Sequence, residues 1–257
     1  MPSLVRQSLG LASAFALWAL AFPVAFAHEP VKPAVPDREK IAEAAARGLA
    51  MVQKAAANYP KHRDCFSCHH QTLAGMASKM AHDRGIAVNE ELMAKDVKRV
   101  MGFIRPMRPV MIENSDIVPD VVVTGPYFMM YFADFKQPNE PVLEALARNI
   151  ALHQQADGHW TGWAPRPPLE YGDIQATALS IRALQLYGTD DRKIEYDERI
   201  ARASQWLRNC KAASDHERNY QLLGLYWSGA PSSVIESLGA AYSRRNGRTA
   251  AGLNSAR

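Results

Sequence analysis

The stretch DIQATALSIRALQLY, from Asp173 to Tyr187, decides the fold of this chain. Its apolar residues recur at helical spacing around most of the circumference, and a helix that is apolar on all sides is buried inside a protein. The stretches 140–153 and 195–211 also have helical spacing, but each carries a charged stripe, which is typical of a peripheral helix. This contrast predicts an inner and an outer layer of helices.

Helical spacing continues outward from this stretch over almost the whole chain. The run from Val118 to Val123 is the nearest approach to a strand, and Pro119 interrupts it. The predicted helices cover 37–58, 67–84, 90–104, 120–134, 140–155, 172–188, 195–212 and 216–228, and a further helix begins at Ser232. Because pairs of helices recur about every 40–55 residues, the sequence predicts an all-α fold of stacked helical hairpins.

The turn before residues 173–187 carries a family resemblance. The segment Gln154-Gln-Ala-Asp-Gly-His-Trp160 has the pattern Q-x-x-x-G-x-W, and Pro167-Pro168 and Ala176-Thr-Ala-Leu179 follow it. These residues resemble squalene and oxidosqualene cyclases and the β subunits of protein prenyltransferases. The resemblance implies an α/α toroid, partial and incomplete at the C-terminus, over residues 37–240. It also implies that Gly158 permits a tight turn, that Trp160 stacks on Gln154, and that the helix ends are pinned there.

The N-terminus has the composition of an export signal. Arg6 precedes an apolar segment from Leu9 to about Phe22, and Ala25-Phe-Ala27 fits a signal peptidase site. We predict a cleaved signal peptide at 1–27, a linker at 28–36 and a periplasmic or otherwise exported mature protein. The alternative is an uncleaved membrane anchor; no other segment is long and apolar enough to cross a bilayer.

The C-terminal segment, residues 241–257, has almost no bulky apolar side chains. Such a segment cannot bury enough apolar surface to offset the entropy of ordering, so it is predicted to be a disordered tail. A toroid-like chain should continue with another helix pair, and the tail is therefore interpreted as the product of truncation or a frameshift.

The charges do not favour a nucleic-acid partner. The sequence has 30 Lys and Arg against 26 Asp and Glu, but five of the basic residues lie in the signal peptide and the tail. All of the acidic residues lie between them, so the body of the protein is close to neutral. No basic face remains that could bind DNA or RNA.

The segment Cys65-Phe-Ser-Cys68-His69 has the C-x-x-C-H spacing of a c-type haem attachment site. In such a site the two thiols form thioethers to the haem vinyl groups, and the histidine is the proximal iron ligand. The motif opens a predicted helix, and the export signal directs it to the compartment where haem c is attached. The sequence therefore predicts covalent haem c on Cys65, Cys68 and His69.

Other interpretations of the cysteines remain open. Cys65 and Cys68 could form a disulfide or a redox pair, they could bind zinc together with His69 or His70, or the match could be accidental. Zinc requires four ligands, and no second C-x-x-C or H-x-x-x-H is present. The third cysteine, Cys210, is interpreted as a small buried residue of a helix.

The distal iron ligand is predicted from a proline-containing loop, Arg105-Pro-Met107-Arg-Pro-Val-Met111, in which Met107 or Met111 presents its thioether to the iron. The rivals are His82, His70 and an open coordination position. The remaining methionines of this region are interpreted as core residues on helices: Met76, Met80, Met93, Met101, Met129 and Met130.

The sequence does not favour an enzyme. Squalene-hopene-type cyclases protonate an alkene with a D-x-D-D acid, and the nearest segment here, Gly188-Thr-Asp-Asp191, lacks the first carboxylate. The resemblance implies a concave apolar space near the inner-helix residues Glu170, Asp173, Gln175 and Thr177, with Trp163 and Tyr171 beside it. Three functions follow: a haem protein for electron transfer or sensing with a redox partner, a binding protein for a terpenoid, lipid or peptide without haem, and a terpene cyclase or prenyltransferase.

Overall fold

The computed structural model describes residues 37–63, 68–113, 120–162 and 172–245. Within these residues the chain is helical and contains no β-strand; an isolated antiparallel bridge joins Gln154 to Trp160. The predicted all-α class is therefore confirmed for the described part of the chain. The predicted signal peptide, the linker and residues 246–257 lie outside it.

The helices begin and end close to the predicted positions, and one short helix was not predicted. In chain order they are α1 Arg38–Asn58, α2 Leu73–His82, α3 Glu90–Ile104, α4 Arg108–Glu113, α5 Val121–Asp134, α6 Pro141–Leu152, α7 Gly172–Tyr187, α8 Lys193–Asn209, α9 Asp215–Trp227 and α10 Ser232–Arg245. The unpredicted helix is α4. The last helix, α10, continues into the stretch 241–257 that was predicted as a tail.

Local sequence explains where several helices begin. The side chain of Asn89 accepts a hydrogen bond from the amide of Leu92 and so caps α3. Ser214 and Glu217 form a reciprocal capping box at the start of α9. Helix α6 begins with Pro141, whose fixed φ suits the first helical position. These signals are local, which is why the sequence alone located the helix starts well.

Helix α7 is the centre of the packing from α5 onward. It contacts α5 and α9 most extensively, and it also contacts α6 and α8. Most side chains of α7 are buried and most of α8 are not, as their side-chain patterns predicted. Most side chains of α6 are buried as well and most of α9 are not, so the predicted inner and outer layers stay a prediction.

The N-terminal helices pack against α5. Helix α2 contacts α1, α3 and α5. The side-chain amide of Gln53 on α1 donates to the carbonyl oxygen of Asn89 (3.1 Å) and accepts from its backbone amide (2.9 Å). Both backbone groups at the start of α3 are thereby satisfied by one side chain, which fixes α1 against α3.

The turn between α6 and α7 ties three helices together. The side-chain amide of Gln154 donates to the carbonyl oxygens of Gly158 and Arg199, both at 2.8 Å. Trp160 is completely buried; its indole N–H donates to the carbonyl oxygen of Ile150 (2.7 Å), and its backbone amide donates to the hydroxyl of Thr177 (3.0 Å). Because these partners belong to α6, α7 and α8, the expectation that the turn pins helix ends is confirmed.

Gly158 allows this turn to approach α8, and Gly158→Ala should destabilise the protein. The glycine has φ +103°, and an added Cβ would lie 2.8 Å from backbone atoms of Arg202. A side chain at positive φ costs roughly 1–2 kcal/mol before any clash is counted. We expect a fall of at least about 2 kcal/mol in the free energy of unfolding, measured by urea denaturation.

Gly102→Ala is the matched control for Gly158→Ala. Gly102 lies inside α3 with open space around its Cβ position, so alanine there should stabilise the protein by roughly 0.5–1 kcal/mol. Equal effects of the two substitutions would show that the turn tolerates a side chain, contrary to the geometry.

Candidate functional site

The cysteine motif lies at the start of a helix, as the sequence predicted. Cys65 lies outside the described residues, and Cys68 begins a single π-helical turn, Cys68–Thr72, that continues directly into α2. A π-turn inside or beside an α-helix is uncommon and is frequently found at functional sites. The backbone around His69 is therefore helical and belongs to a packed element.

The neighbours of the motif hold this turn in place. The ring of His70 stacks on Tyr59, which follows the end of α1, with ring centroids 4.6 Å apart and planes 23° from parallel. Gln71 and Thr72 are buried, and the turn contacts α1, α2 and α5. The turn that begins at Cys68 is thus held by the residues that follow His69 and by the contact with the end of α1.

The predicted loop of the distal ligand is wrong. Arg105–Met107 forms a 3₁₀ turn that continues α3, and Arg108–Glu113 forms α4. The prolines of this segment lie in the first turns of these two elements, where the missing amide is tolerated, so they do not break the helical structure. Two prolines three residues apart are typical of a loop, but Pro106 and Pro109 each occupy a position that helical structure tolerates.

Met107 and Met111 lie on the side of the molecule where α4 packs against α6. Met111 is buried in the core, and Asn149 of α6 donates to its carbonyl oxygen (3.0 Å). Met107 is partly buried against the same core. Their assignment as distal ligands stays a prediction, since no observation joins them to His69.

The two rival histidines are both exposed. His70 stacks on Tyr59, as described above, and His82 lies at the end of α2. The Nδ1 and Nε2 atoms of His82 lie 3.3 and 3.5 Å from carboxylate oxygens of Asp83 and Glu90. Each imidazole therefore already has a partner within the protein.

The methionines interpreted as core residues divide into three groups. Met93, Met101 and Met129 are buried, and Met76 and Met130 are partly buried against the core. Met80 is 56% exposed, so its interpretation as a core residue is wrong. Spacing alone could not distinguish an exposed position on α2 from a buried one.

A cavity of about 280 Å³ lies between α1, α2 and α3. Its apolar wall consists of Ala56, Ala57, Ala74, Gly75, Leu92 and Met93. Its polar groups are supplied by Gln53, Lys61, Ser78, Lys95, Asp96 and Arg99. A cavity that combines an apolar wall with polar groups is the usual form of a small-molecule site.

Asp96 is the most unusual ionisable group of this cavity. Tyr131 donates a hydrogen bond to its carboxylate (2.9 Å), and Arg99 forms an ion pair with it. Burial nevertheless raises the pKa of the Asp96 carboxyl, since the loss of hydration outweighs both favourable partners. The sequence analysis missed this site, because Asp96 occupies an ordinary position in a charged helix and its partner Tyr131 lies 35 residues away.

Asp96→Asn should change how stability depends on pH. A carboxyl whose pKa is higher in the folded state binds its proton more tightly when folded. The free energy of unfolding of the wild type should therefore fall, relative to that of the variant, as the pH rises. The fall begins near the ordinary carboxyl pKa of 3.8 and ends once the pH passes the raised pKa of Asp96. Urea unfolding of both proteins over a pH series measures the difference.

Asp83→Asn is the control of opposite sign. Its carboxyl pKa is lowered, chiefly by the hydrogen bond from Lys79, so the wild type should gain stability relative to this variant as the pH rises through the same region. The same trend for Asp96 and Asp83 would contradict the assignment of burial as the dominant effect at Asp96.

The inner-helix residues predicted to face a ligand are engaged within the protein. Gln175 and Thr177 are completely buried. The Nε2 of Gln175 donates to the hydroxyl of Tyr127 (3.1 Å) and its Oε1 accepts from the Nε2 of His216 (3.1 Å), while the hydroxyl of Thr177 accepts from the amide of Trp160. Glu170, Trp163 and Tyr171 lie outside the described residues. Asp173 is half exposed, with its carboxylate 3.7 Å from the Nε2 of His159.

A polar network that the sequence analysis missed surrounds Gln175. The hydroxyls of Tyr127 and Tyr220 lie 3.2 Å apart, and the rings of His216 and Tyr220 are in contact. These residues come from α5, α7 and α9, so the network joins these three helices. The polar groups are bonded to one another, and the arrangement is explained as a structural link between the helices.

Cys210 ends α8, where helix 195–212 had been predicted to continue. It is half buried, its Sγ lies 3.4 Å from the carbonyl oxygen of Leu207, and burial raises the pKa of its thiol to about 11. A thiol with such a pKa is protonated and unreactive at neutral pH. The interpretation of Cys210 as a structural residue fits this position.

Among the described residues, no group of three or more His, Cys, Asp and Glu side chains is arranged to hold a metal ion. The same part of the chain contains no helix that is long and apolar enough to cross a membrane. Comparison with protein-family models, curated proteins and solved structures finds no match to this chain. A function for the protein must therefore be inferred from its residues and their geometry.

Proposed function

We propose that this protein is an exported haem c-binding protein in which Cys65 and Cys68 form thioethers to the haem and His69 ligates the iron. The observation that carries the proposal is the C-x-x-C-H spacing at the start of a packed helix. Two thiols and an imidazole within five residues are the donor set that covalent haem attachment uses. Bound haem supplies one-electron redox chemistry, which suits electron transfer to a partner protein or haem-based sensing.

The chain around the motif supports this role. The stacking of His70 on Tyr59 and the burial of Gln71 and Thr72 fix the backbone that follows Cys68. A ligand held by a fixed backbone keeps its geometry when the iron changes oxidation state, which favours fast electron transfer. The proposed localisation is the periplasm or another exported compartment, after cleavage of residues 1–27.

The proposed scaffold is a partial α/α toroid. It is supported by the contacts of α7 with α5, α6, α8 and α9, and by the turn of Gln154, Gly158 and Trp160 that links α6, α7 and α8. An arrangement of helix pairs of this kind offers a rigid support for the motif and an outer surface for a redox partner.

Expression of the full chain with a haem-maturation system tests the proposal. We expect a red periplasmic product, an intact mass increased by one haem, and the α band of c-type haem in the pyridine haemochrome spectrum. A product without pigment and without added mass would disprove the proposed function. N-terminal sequencing of the same sample should begin at His28 if the signal peptide is cleaved as proposed.

A second candidate function is a binding protein for an apolar small molecule, with the cysteines joined in a disulfide. The cavity between α1, α2 and α3 favours it, because it combines an apolar wall with polar groups that include Asp96 and Arg99. Intact mass separates the two candidates: a loss of two hydrogens indicates the disulfide, and a gain of one haem indicates attachment.

A further inference from the structure

The lining of the cavity between α1, α2 and α3 changes along its length. Where α1 meets the start of α3, the side-chain amide of Gln53 bonds to the backbone of Asn89. The other cavity residues on α1, on the turn after it and on α3 all follow this contact in the sequence, and the last of them are Lys61 and Arg99. A rise of about 1.5 Å per residue carries these two residues roughly 12 and 15 Å from the contact. Both cations therefore lie toward the end of the cavity that is remote from Gln53.

Most of the polar groups that line the cavity already have partners within the protein. These groups belong to Gln53, Ser78, Lys95 and Asp96. The hydroxyl of Ser78 donates to the carbonyl oxygen of Ala74 (2.8 Å), and the ammonium of Lys95 lies 2.5 Å from the carboxylate of Glu91. The partners of the other two are described above. A ligand that used any of these groups would first have to break an existing contact.

Lys61 and Arg99 have hydrogen-bond donors to spare. The ammonium of Lys61 forms no hydrogen bond or ion pair among the residues that the structure describes. The guanidinium of Arg99 uses one nitrogen for Asp96, and a guanidinium has five N–H donors. The lining as a whole carries three cations against one carboxylate. The remote end of the cavity therefore offers unused donors and positive charge, which together favour an anion.

We propose that the cavity binds a small carboxylic acid with an apolar tail, whose carboxylate contacts Arg99 and Lys61 and whose tail lies against the apolar wall. The inference rests on the second candidate function, since it names the class of ligand for that cavity, and it involves no residue of the C-x-x-C-H segment. A guanidinium matches a carboxylate in shape and can bind it by two parallel hydrogen bonds. Burial of the apolar tail adds affinity, because it removes apolar surface from water.

The size of the cavity limits the ligand to about nine non-hydrogen atoms. The volume is about 280 Å³, and one water molecule takes about 30 Å³ of the liquid. Heptanoate fits this limit and is the probe for the test. 1-Heptanol and heptylamine have the same tail with a neutral and a positive head, so they isolate the contribution of the negative charge.

Isothermal titration calorimetry of the purified protein measures the three affinities. We expect heptanoate to bind at least about tenfold more tightly than 1-heptanol, because hydrogen bonds between ionised groups are roughly twice as strong as neutral ones. Heptylamine should bind more weakly than 1-heptanol, since its ammonium would face the like charges of Lys61 and Arg99.

Substitutions locate the carboxylate. Arg99→Gln and Lys61→Gln should each weaken heptanoate binding at least about threefold, while the affinity for 1-heptanol changes less than about twofold. Arg148→Gln is the matched control and should change neither affinity, because Arg148 is exposed on α6 and does not line the cavity. Ala57→Leu should abolish the binding of both ligands, since a larger side chain fills the space and leaves the charges unchanged. Circular dichroism of each variant shows whether it is folded.

Four results would overturn the inference, and they are distinguishable. Binding of neither heptanoate nor 1-heptanol to the folded wild type would remove the second candidate function as well. Equal affinities for these two ligands would leave that function intact but show that the site does not select a negative charge. Tighter binding of heptylamine would show that the carboxylate of Asp96 selects a cation. Heptanoate binding that is unaffected by Arg99→Gln, Lys61→Gln and Ala57→Leu would place its site elsewhere on the protein.

Discussion

Replacement of both Cys65 and Cys68 by alanine is expected to abolish covalent haem, from one haem per chain to none. In the proposed site each thiol forms one of the two thioethers to the haem vinyl groups, so the double variant would have no point of attachment. Cys68→Ala alone can keep at most one thioether and should give an incompletely and weakly loaded product. Pyridine haemochrome spectra and intact mass of periplasmic protein measure both effects.

Cys210→Ala is the matched control for these variants. The thiol of Cys210 lies at the end of α8, is half buried and has a raised pKa, so it takes no part in attachment. Its replacement should leave the haem content unchanged. His69→Ala should keep the thioethers but lose the proximal ligand, which changes the spectrum of the iron while the added mass persists. Unaltered pigment in the double cysteine variant would end the haem hypothesis.

Trp160→Ala is expected to be the most destabilising single substitution described for this fold. The side chain is completely buried, and its indole N–H donates to the carbonyl oxygen of Ile150. Removal of a buried aromatic side chain costs roughly 3–5 kcal/mol, which is a large part of the roughly 5–15 kcal/mol that stabilises an ordinary domain. Urea unfolding followed by circular dichroism should show a much lower midpoint or a chain that no longer folds.

Trp160→Phe separates the hydrogen bond from the packing. Phenylalanine keeps most of the ring volume but removes the indole donor, while the carbonyl of Ile150 still accepts from the amide of His153. We therefore expect a smaller loss of roughly 1–2 kcal/mol. Tyr226 is an aromatic residue that is 69% exposed, and Tyr226→Ala should change the stability by less than about 0.5 kcal/mol. If Trp160→Ala behaved like Tyr226→Ala, the turn between α6 and α7 would not hold α6, α7 and α8 together.

The sequence predicted the helices well because their signals are local. The cap at Asn89, the capping box of Ser214 and Glu217, and the apolar circumference of α7 all act within a few residues. The segment around Met107 and Met111 was misjudged, since a proline can either end a helix or occupy its first turn. A proline that ends a helix and a proline in the first turn of a helix differ only in the hydrogen bonds of the neighbouring backbone amides, which the sequence does not give.

The candidate site was predictable in its chemistry but not in its surroundings. The donor set of Cys65, Cys68 and His69 is contiguous, so five residues suffice to suggest it. The environment of Asp96 in the cavity wall depends on Tyr131, which comes from a different helix and shares no local pattern with it. The exposure of Met80 depends on which face of α2 its neighbours cover, and periodicity does not state this.

The sequence by itself determined that the protein is helical, that α7 is buried, and that a C-x-x-C-H segment opens a helix. These features follow from side-chain periodicity, capping and spacing, which are properties of short segments. Only the tertiary structure decided that Trp160 and Gln154 join α6, α7 and α8, that burial raises the pKa of Asp96, and that Met80 is exposed. The reason is physical: burial, desolvation and hydrogen-bond partnership depend on which distant residues meet in space.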